Sequence, residues 1–380
     1  MARERADVGS YEDIAAAAVR TTGMSDFGDG AHEEGLRVLV EDLASAEAGL
    51  TPRGNYFQRS EVKSALVGVL LTQAQFAAHP EHADVPIERP VFLMGLPRTG
   101  TTALHRLLHA DPAAQGLEMW LTQYPQPRPP RETWEDDPIF TAMQQAFAAH
   151  HVESPEYMGI HYMDATTVEE CWRLLRQTGK SNSYESLANV PRYTEWLAKQ
   201  DWTDAYARHK QNLQLVGLND ADKRWVLKNP SHMSALDALM TVYPDALVVY
   251  THRDPVTCIA SSCSLSAETT VGHSTTYDGE VIGRTQLDLW SRAYHAFHDA
   301  RPAYDQDQFI DIAFGDLVKD PHGTTRQVYE KFGLDWTPEV EAAISALDRE
   351  SKEGKTKPRH SYDLADYGLT ETQVRAAFDR

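Results

Sequence analysis

The stretch VFLMGLPRTGTT, residues 91–102, is the part of the sequence that identifies the fold class. It begins with four apolar residues in succession, which is typical of a short strand buried in a parallel sheet. A turn containing glycine, proline and threonine follows, and Leu104, Leu107 and Leu108 then recur with helical spacing. This order predicts a strand, a loop and a helix, a unit in which backbone N–H groups and a helix N-terminus converge on an anion.

The loop differs from that of proteins that bind nucleoside triphosphates. Gly95 and Gly100 keep the G-x-x-x-x-G spacing, but Thr101 stands where such a loop has its lysine, and Arg98 lies inside the turn. A P-loop NTPase needs that lysine on the β- and γ-phosphates and a hydroxyl group on Mg²⁺. The loop is therefore predicted to hold a different anion, with no metal ion required. The alternative is a strand-to-helix turn with incidental glycines.

Three more segments have strand character, at residues 225–228, 246–250 and 309–313. A helix over about 234–242 separates the first two, which predicts a βαβ crossover between parallel strands. Another helix is predicted over 324–332. The sequence thus predicts an α/β fold with a P-loop-like central parallel sheet flanked by helices.

Helical patterns extend this fold at two places. Before about residue 80, two groups of apolar residues recur with helical spacing, which predicts an N-terminal helical extension over 1–88 packed on the core. The main domain is predicted over 89–380, with a mostly helical insertion at about 138–215. The apolar residues of the extension are Leu36, Leu39, Val40 and Leu43 in the first group and Val62, Leu66, Val69 and Leu70 in the second.

Composition excludes several classes of protein. The 380 residues are 42% hydrophobic and include 36 lysines and arginines against 56 aspartates and glutamates, a formal net charge of -20. Like charge would repel nucleic acid and anionic membrane surfaces, so neither is expected as a partner. Cys171, Cys258 and Cys263 contain no CxxC pair, which argues against a disulfide framework or a thiolate zinc site. With no apolar run near the ~18 to 20 residues of a membrane span, we expect a cytoplasmic protein.

Two segments carry a specific family resemblance. Residues 97–102 resemble the 5′-phosphosulfate-binding loop of sulfotransferases. The amino-acid sequence of residues 91–112 is similar to that of a large group of actinobacterial sulfotransferase-like proteins. Residues 250–255 together with Ser261 resemble the segment with which these enzymes bind the ribose 3′-phosphate. Arg253 stands just beyond a predicted strand, where α/β folds place ligands, and arginine binds phosphate in bidentate fashion. A surface ion pair of Arg253 with Asp254 is the alternative.

The resemblance implies a donor, 3′-phosphoadenosine 5′-phosphosulfate (PAPS), and the residues that hold it. Arg253 and Ser261 would bind its 3′-phosphate. A basic segment near the C-terminus would close over the same phosphate, although a solvated charge run is an equal alternative. The 5′-phosphosulfate would lie on Pro97, Arg98, Thr99, Gly100, Thr101 and Thr102, and the basic segment supplies Lys355, Lys357 and Arg359.

Sulfuryl transfer needs a base for the acceptor proton and positive charge on the sulfuryl and leaving oxygens, by analogy with phosphoryl transfer. Lys228 and His232 end a predicted strand in the turn Lys-Asn-Pro-Ser-His, and Arg98 supplies further charge. The turn resembles that of cytosolic sulfotransferases, which implies His232 as base and Lys228 at the bridging oxygen, although their lysine and histidine lie closer together. Glu118 is the rival base, because tyrosylprotein and carbohydrate sulfotransferases use a glutamate in this region.

The acceptor is expected to meet the helical insertion. His161 and Glu170 are candidates to line its pocket, although core or surface roles are the alternative for both. The aromatic residues Tyr157, Tyr162 and Trp172 suit an apolar or aromatic small molecule, and at helical spacing they also suit the protein core. These motifs identify neither the acceptor nor the oligomeric state.

The sequence therefore predicts a PAPS-dependent sulfotransferase acting on a hydroxyl or amine of a small molecule. Two other functions are left open by the residues. A P-loop kinase or NTPase would require Mg²⁺ and a triphosphate, against which Thr101 argues. A non-catalytic adenosine-phosphate-binding protein would bind the desulfated nucleotide without forming a sulfated product.

Overall fold

Five parallel strands form the sheet at the centre of the molecule. The computed structural model describes residues 4–153, 164–353 and 363–379. The spatial order of the strands is β2-β3-β1-β4-β5, so that β1, which precedes the glycine-containing loop, is central. The strands are β1 (Val91–Gly95), β2 (Ala114–Gln115), β3 (Arg224–Lys228), β4 (Leu247–His252) and β5 (Phe309–Ala313).

Helices cover both faces of the sheet. The first three precede β1, and the described residues between β2 and β3 form five that are separated by irregular segments. In chain order the helices are α1 (Tyr11–Thr22), α2 (Glu33–Leu43), α3 (Pro52–Ala78), α4 (Thr101–His109), α5 (Met119–Gln123), α6 (Pro138–Glu153), α7 (Trp172–Leu175), α8 (Pro191–Leu197), α9 (Thr203–Val216), α10 (Leu236–Val242), α11 (Pro255–Thr269), α12 (Gly279–Ala300), α13 (Phe314–Lys319), α14 (Pro321–Phe332), α15 (Pro338–Glu353) and α16 (Glu371–Phe378).

The four predicted strands are confirmed, and the α/β fold with a central parallel sheet is the observed one. The predicted crossover is also confirmed: β3 and β4 are parallel strands of one sheet joined through a helix, and β1 lies between them. The two-residue strand β2 was not predicted, since a strand this short carries no periodic pattern.

The sheet separates two hydrophobic layers. Alternate residues of β1 point to opposite sides, so that Leu93 packs among residues of α4 and α14 while Phe92 packs in the larger layer. The larger layer also contains Leu36 and Leu66 of the N-terminal helices. In addition, the Gln58 side chain donates a 2.8 Å hydrogen bond to the Leu187 carbonyl. The N-terminal helices thus share one core with the sheet, and the domain boundary at residue 88 stays a prediction.

The turn after β3 begins as a 3₁₀ helix, Pro230–Ala235, rather than as the start of an α-helix. The Asn229 side-chain oxygen accepts from the Ser231 N–H at 3.2 Å, and the Asn229 N–H donates to Leu93 O at 3.1 Å. The regular helix α10 begins only at Leu236, two residues later than predicted. The turn is therefore tied directly to β1.

Two buried histidine–tyrosine pairs lie in the larger layer. The Tyr206 hydroxyl is 2.7 Å from His232 Nδ1, and the Tyr243 hydroxyl is 2.8 Å from His209 Nδ1. Both imidazoles are 0% exposed. Burial disfavours the charged form, so it lowers the pKa of His209 to about 3 and that of His232 well below its ordinary value. Both rings are neutral in the folded protein at neutral pH.

These pairs predict a loss of stability in mild acid. Below about pH 6.5 the unfolded chain binds protons on both histidines while the folded chain does not. Because the unfolded state binds more protons, the free energy of unfolding should fall as the pH decreases from 6.5 toward the folded pKa values, by up to about 1.4 kcal/mol per pH unit for each histidine. Urea unfolding at several pH values measures the slope. A His209→Asn variant with the same slope as the natural protein would contradict the assignment.

Within the described ranges 4–153, 164–353 and 363–379, no helix has both the length and the apolar character needed to cross a membrane.

Candidate active site

The loop between β1 and α4 approaches its neighbours so closely that glycine is needed at both ends. Gly95 has φ +152°, and a Cβ atom there would lie 2.2 Å from the carbonyl oxygen of Thr251 in β4. Gly100 has φ +88°, and its Cβ would lie 2.8 Å from Leu317 Cδ2 in α13. The two glycines therefore allow the loop to lie against the carboxyl ends of the strands.

The loop presents unpaired backbone donors. Arg98 has φ +70°, a left-handed conformation that costs a non-glycine residue about 1–3 kcal/mol and is found mainly at functional sites. Buried Thr99 holds the turn in place, with its hydroxyl 2.7 Å from Leu96 O and 2.6 Å from Thr251 Oγ1. In the described part of the chain, the N–H groups of residues 98–102 make no backbone hydrogen bond. They lie at the N-terminal end of α4, where an anion is stabilised.

The residues predicted to bind the 3′-phosphate lie directly beside this loop. Arg98 Nε donates to Ser261 Oγ of α11 at 3.2 Å, and Arg253 Nη1 donates to Arg98 O at 3.2 Å. Arg253 follows the last residue of β4, as expected for a ligand-binding arginine in an α/β fold. The structure thus brings Arg98 together with Arg253 and Ser261, which belong to a second, distant segment of the chain.

Phe314 also lies in this group. The guanidinium carbon of Arg253 lies 4.1 Å from the centroid of the Phe314 ring. A Cβ atom at Gly100 would lie 3.2 Å from Phe314 Cδ2. Phe314 directly follows β5, so the signal was an aromatic residue at the carboxyl end of a strand. Sequence spacing did not show which strand β5 neighbours.

Lys228 extends from the end of β3 to the start of α4. Its ammonium group donates to Thr102 Oγ1 at 3.2 Å and forms an ion pair with the Glu170 carboxylate. The lysine side chain is 3% exposed, whereas that of Glu170 is 23% exposed. Cys171 N–H donates to Lys228 O at 3.1 Å, which holds the segment of Glu170 beside β3. A carboxylate open to solvent therefore lies beside a nearly buried cation at the phosphate-binding loop.

The structure does not bring His232 to this group of residues. Its imidazole is fully buried in the larger core layer, where its Nδ1 is bonded to Tyr206 and its ring packs edge-on against Phe92 at a centroid distance of 5.1 Å. Its Nε2 has no hydrogen-bond partner among the described residues. The 3₁₀ turn after Lys228 directs the histidine away from the carboxyl edge of the sheet. The imidazole thus has no exposed surface in the structure, and a base role for His232 stays a prediction.

Glu118 is likewise engaged elsewhere. Its carboxylate accepts from Arg128 Nε at 3.2 Å, and Arg128 also donates to Asp220 at 2.8 Å and to Gly116 O at 2.6 Å. Glu118 is 8% exposed, as is Arg128. The carboxylate belongs to a buried ion-pair network between α5 and the segment before β3. Among the described residues, the Glu118 carboxylate accepts no hydrogen bond from Thr102 or Lys228.

Several other predicted site residues lie outside the described part of the chain. Of the pocket residues, only Glu170 and Trp172 fall within it. The Trp172 ring lies against two cations, with the Arg173 and Arg176 guanidinium carbons each 4.2 Å from the ring centroid. The predicted residues beyond the described ranges are Tyr157, His161, Tyr162, Lys355, Lys357 and Arg359.

The arrangement as a whole presents cationic groups at two points and a carboxylate beside them. The loop offers backbone donors and Arg98, Arg253 offers a second cation, and Lys228 stands between the loop and Glu170. Preorganised donors of this kind stabilise charge that develops in a transition state.

Comparison with known proteins agrees with this geometry. The family model described as the sulfotransferase family matches residues 90–338. The omega-hydroxy-beta-dihydromenaquinone-9 sulfotransferases Stf3 of Mycobacterium bovis and Mycobacterium tuberculosis are each 24% identical over 274 residues, 64% of this chain. The match spans 63% of the length of each of these curated relatives.

Two solved structures are similar over nearly the whole chain. Sulfotransferase STF1 of Mycobacterium tuberculosis is 51% identical, with a TM-score of 0.92 over 98% of this chain and 99% of its own. Sulfotransferase STF9 of Mycobacterium avium is 28% identical, with a TM-score of 0.88 over 99% of this chain and 96% of its own. With the family model covering more than half of its length, the chain belongs to the sulfotransferase family.

Proposed function

We propose that this protein transfers a sulfuryl group from PAPS to a hydroxyl or amine of a small-molecule acceptor. The observation that carries the proposal is the convergence of the Arg98 loop, Arg253 and Ser261 on one side of Lys228, with Glu170 on the other. A donor with two anionic ends fits the two cationic points. Its sulfuryl group would then lie at the start of α4, close to Lys228.

In this proposal the donor is held without help from a metal ion. The N–H groups at the N-terminal end of α4 and Arg98 would bind the 5′-phosphosulfate, as Pro97 and Thr99 shape the loop. Arg253 and Ser261 would bind the 3′-phosphate. The basic residues Lys355, Lys357 and Arg359 stay a prediction for the same phosphate.

Glu170 is proposed as the general base, in place of His232 or Glu118. Its carboxylate is partly exposed and forms an ion pair with Lys228, which also contacts Thr102 at the start of α4. An acceptor hydroxyl would donate its proton to Glu170 as its oxygen attacks sulfur. The bond from sulfur to the bridging oxygen would break, and Lys228 would stabilise the charge that forms on that oxygen.

The two alternative functions are less well supported. This chain has Thr101 at the position where a kinase or NTPase has its P-loop lysine. Lys228 reaches the loop from a different strand. A binding protein without activity has no need of a solvent-accessible carboxylate beside a buried lysine. Family membership favours the transferase over both.

The acceptor is proposed to be a small molecule with a nucleophilic hydroxyl group. The curated relatives are named for a hydroxylated menaquinone derivative, which supports a lipophilic acceptor here as well. The free, buried thiols of Cys171, Cys258 and Cys263 are compatible with a reducing compartment, and we propose the cytoplasm.

The test is incubation of the purified protein with ³⁵S-labelled PAPS and a panel of phenols, sterols, glycosides and hydroxylated quinones. We expect one labelled product class, and release of 3′-phosphoadenosine 5′-phosphate (PAP) in proportion to it. Tight binding of PAP without any labelled product across the panel and a metabolite extract would favour the binding protein, and Mg²⁺-dependent ATP turnover would favour the NTPase.

Donor binding should depend on both arginines. Replacing Arg98 or Arg253 by alanine removes a charge-assisted hydrogen bond worth about 1.5–3 kcal/mol, so the Kd for PAP should rise about 10- to 150-fold in each variant. Ser261→Ala should have a smaller effect, because it removes a neutral donor. Isothermal titration calorimetry measures the affinities. Unchanged affinity in both arginine variants would refute the donor site.

A further inference from the structure

The turn that follows Lys228 is held at both ends. At its start, Asn229 N–H donates to Leu93 O of β1 at 3.1 Å, and Lys228 O accepts from Cys171 N–H at 3.1 Å. At its far end, His232 N–H donates to Asn229 O at 3.2 Å, and the imidazole is bonded to the Tyr206 hydroxyl of α9 at 2.7 Å. The lysine and the buried histidine are thus opposite ends of one short turn that is hydrogen-bonded at both ends.

The same peptide segment links the candidate base to this turn. Glu170 directly precedes Cys171, whose N–H is bonded to the lysine carbonyl. The buried Cys171 thiol lies close enough to Tyr206 to influence its ionisation. Burial raises the pKa of both this thiol and the Tyr206 phenol, so that each stays neutral and can act only through hydrogen bonds and packing. Neutral groups therefore flank the turn, Cys171 through its N–H bond to Lys228 O and Tyr206 through its bond to His232.

We infer that His232 and Tyr206 are positioning residues for sulfuryl transfer, which anchor the turn so that Lys228 Nζ stays on Thr102 and Glu170. This inference rests on the proposed function, since it assigns the purpose of the anchor to that reaction. It differs from a base role, because the histidine acts through its hydrogen bond to Tyr206 and exchanges no proton with the acceptor.

Tyr206→Phe is the central variant, since it breaks the anchor while leaving the imidazole in place. A displacement of about 1 Å in a reacting group can cost about 10²-fold in rate, so kcat should fall about 10- to 100-fold. The Kd for PAP should stay within about twofold, because the donor contacts on the loop are unchanged. Turnover is measured with the acceptor that the natural protein sulfates, and PAPS hydrolysis to PAP in its absence is a second readout.

Tyr243→Phe is the matched control. It breaks the equivalent hydrogen bond, from Tyr243 to His209 at 2.8 Å, in the same core layer and between equally buried groups. Its loss of stability should therefore be similar, but it does not touch the turn after Lys228. The His209 ring lies 6.3 Å from that of His232, but the substitution leaves the hydrogen bond between Tyr206 and His232 in place, so kcat should stay within about twofold of the natural protein.

Two substitutions of the histidine separate anchoring from proton transfer. In His232→Asn a side-chain amide atom can occupy the place of Nδ1 and keep the bond to Tyr206, whereas in His232→Gln the amide lies near the position of Nε2. Neither can act as a base near neutral pH. Anchoring predicts that kcat of His232→Asn lies well above that of His232→Gln and that its pH profile keeps the shape of the natural enzyme.

Crystal structures supply a readout that does not depend on activity. In the natural protein Lys228 Nζ lies 3.2 Å from Thr102 Oγ1. We expect this hydrogen bond to be lost in Tyr206→Phe and to be kept in Tyr243→Phe. Equal kcat in the two tyrosine variants would overturn the inference. The inference would also be overturned if His232→Asn were as slow as His232→Gln while Tyr206→Phe stayed active. That result would assign proton transfer to the imidazole. A natural protein without any PAPS turnover would instead overturn the proposed function itself.

Discussion

Glu170→Gln is expected to lower kcat by about 10²- to 10⁴-fold, because general-base assistance contributes about that much to proton transfers. The substitution keeps the size of the side chain and its contact with Lys228, and removes its capacity to accept the acceptor proton. The Kd for PAP should stay nearly normal, since the base acts in the transition state and does not hold the donor. Single-turnover kinetics with labelled PAPS, together with calorimetry, measure the two quantities separately.

Glu118→Gln is the matched control for this prediction. Its carboxylate is buried and paired with Arg128, so the variant should lose stability while its folded fraction keeps near-normal turnover. The reverse pattern, with Glu170→Gln active and Glu118→Gln slow, would assign the base to Glu118. Two mild variants would mean that the acceptor loses its proton without help, as an acidic phenol can.

Lys228→Met is expected to lower kcat by about 10²- to 10³-fold, the cost of removing one preorganised donor from a developing oxyanion. Methionine fills most of the space of the lysine stem, so the buried position stays packed. The loss should be largest with acceptors whose attack depends most on the departure of the bridging oxygen. Turnover with a series of substituted phenols measures this dependence.

Lys180→Met is the control for the lysine variant. Lys180 is also a buried lysine, 7% exposed, and its ammonium group is paired with Asp204 at 2.5 Å. Its partners, Asp201 O and the Asp204 carboxylate, lie just before α9 and in its first turn, and neither belongs to the phosphate loop. The variant should be less stable but retain its turnover in the folded state. Full activity of Lys228→Met would remove the turn after β3 from the active site.

The acceptor-side and donor-side residues differed in how well local sequence predicted them. The predicted donor loop is one continuous segment, for which glycine spacing, a missing lysine and a flanking strand predicted an anion site, and the family resemblance implied the donor. Arg253 and Ser261 are also close in sequence, with the arginine at a strand end. These predictions could be made from short segments, because each motif lies within a few residues of the chain.

The candidate base required the tertiary structure. Glu170 and Lys228 are 58 residues apart in the chain, and the pair forms because Cys171 is bonded to the end of β3. No periodicity within the segment before α7 indicates which carboxylate of Glu169 and Glu170 reaches the lysine. Glu118 and His232 were plausible by position, but burial and their bonds to Arg128 and Tyr206 engage them elsewhere.

By itself, the sequence determined the α/β class, the four main strands, the anion-binding loop and the residues predicted for the donor. Only the tertiary structure decided the strand order, the pairing of Lys228 with Glu170, the contact of Phe314 with Arg253 and the burial of His232. The physical reason is that strands, turns and loops depend on neighbours within a few residues. Which side chains meet at the sheet edge depends instead on how distant segments pack in three dimensions.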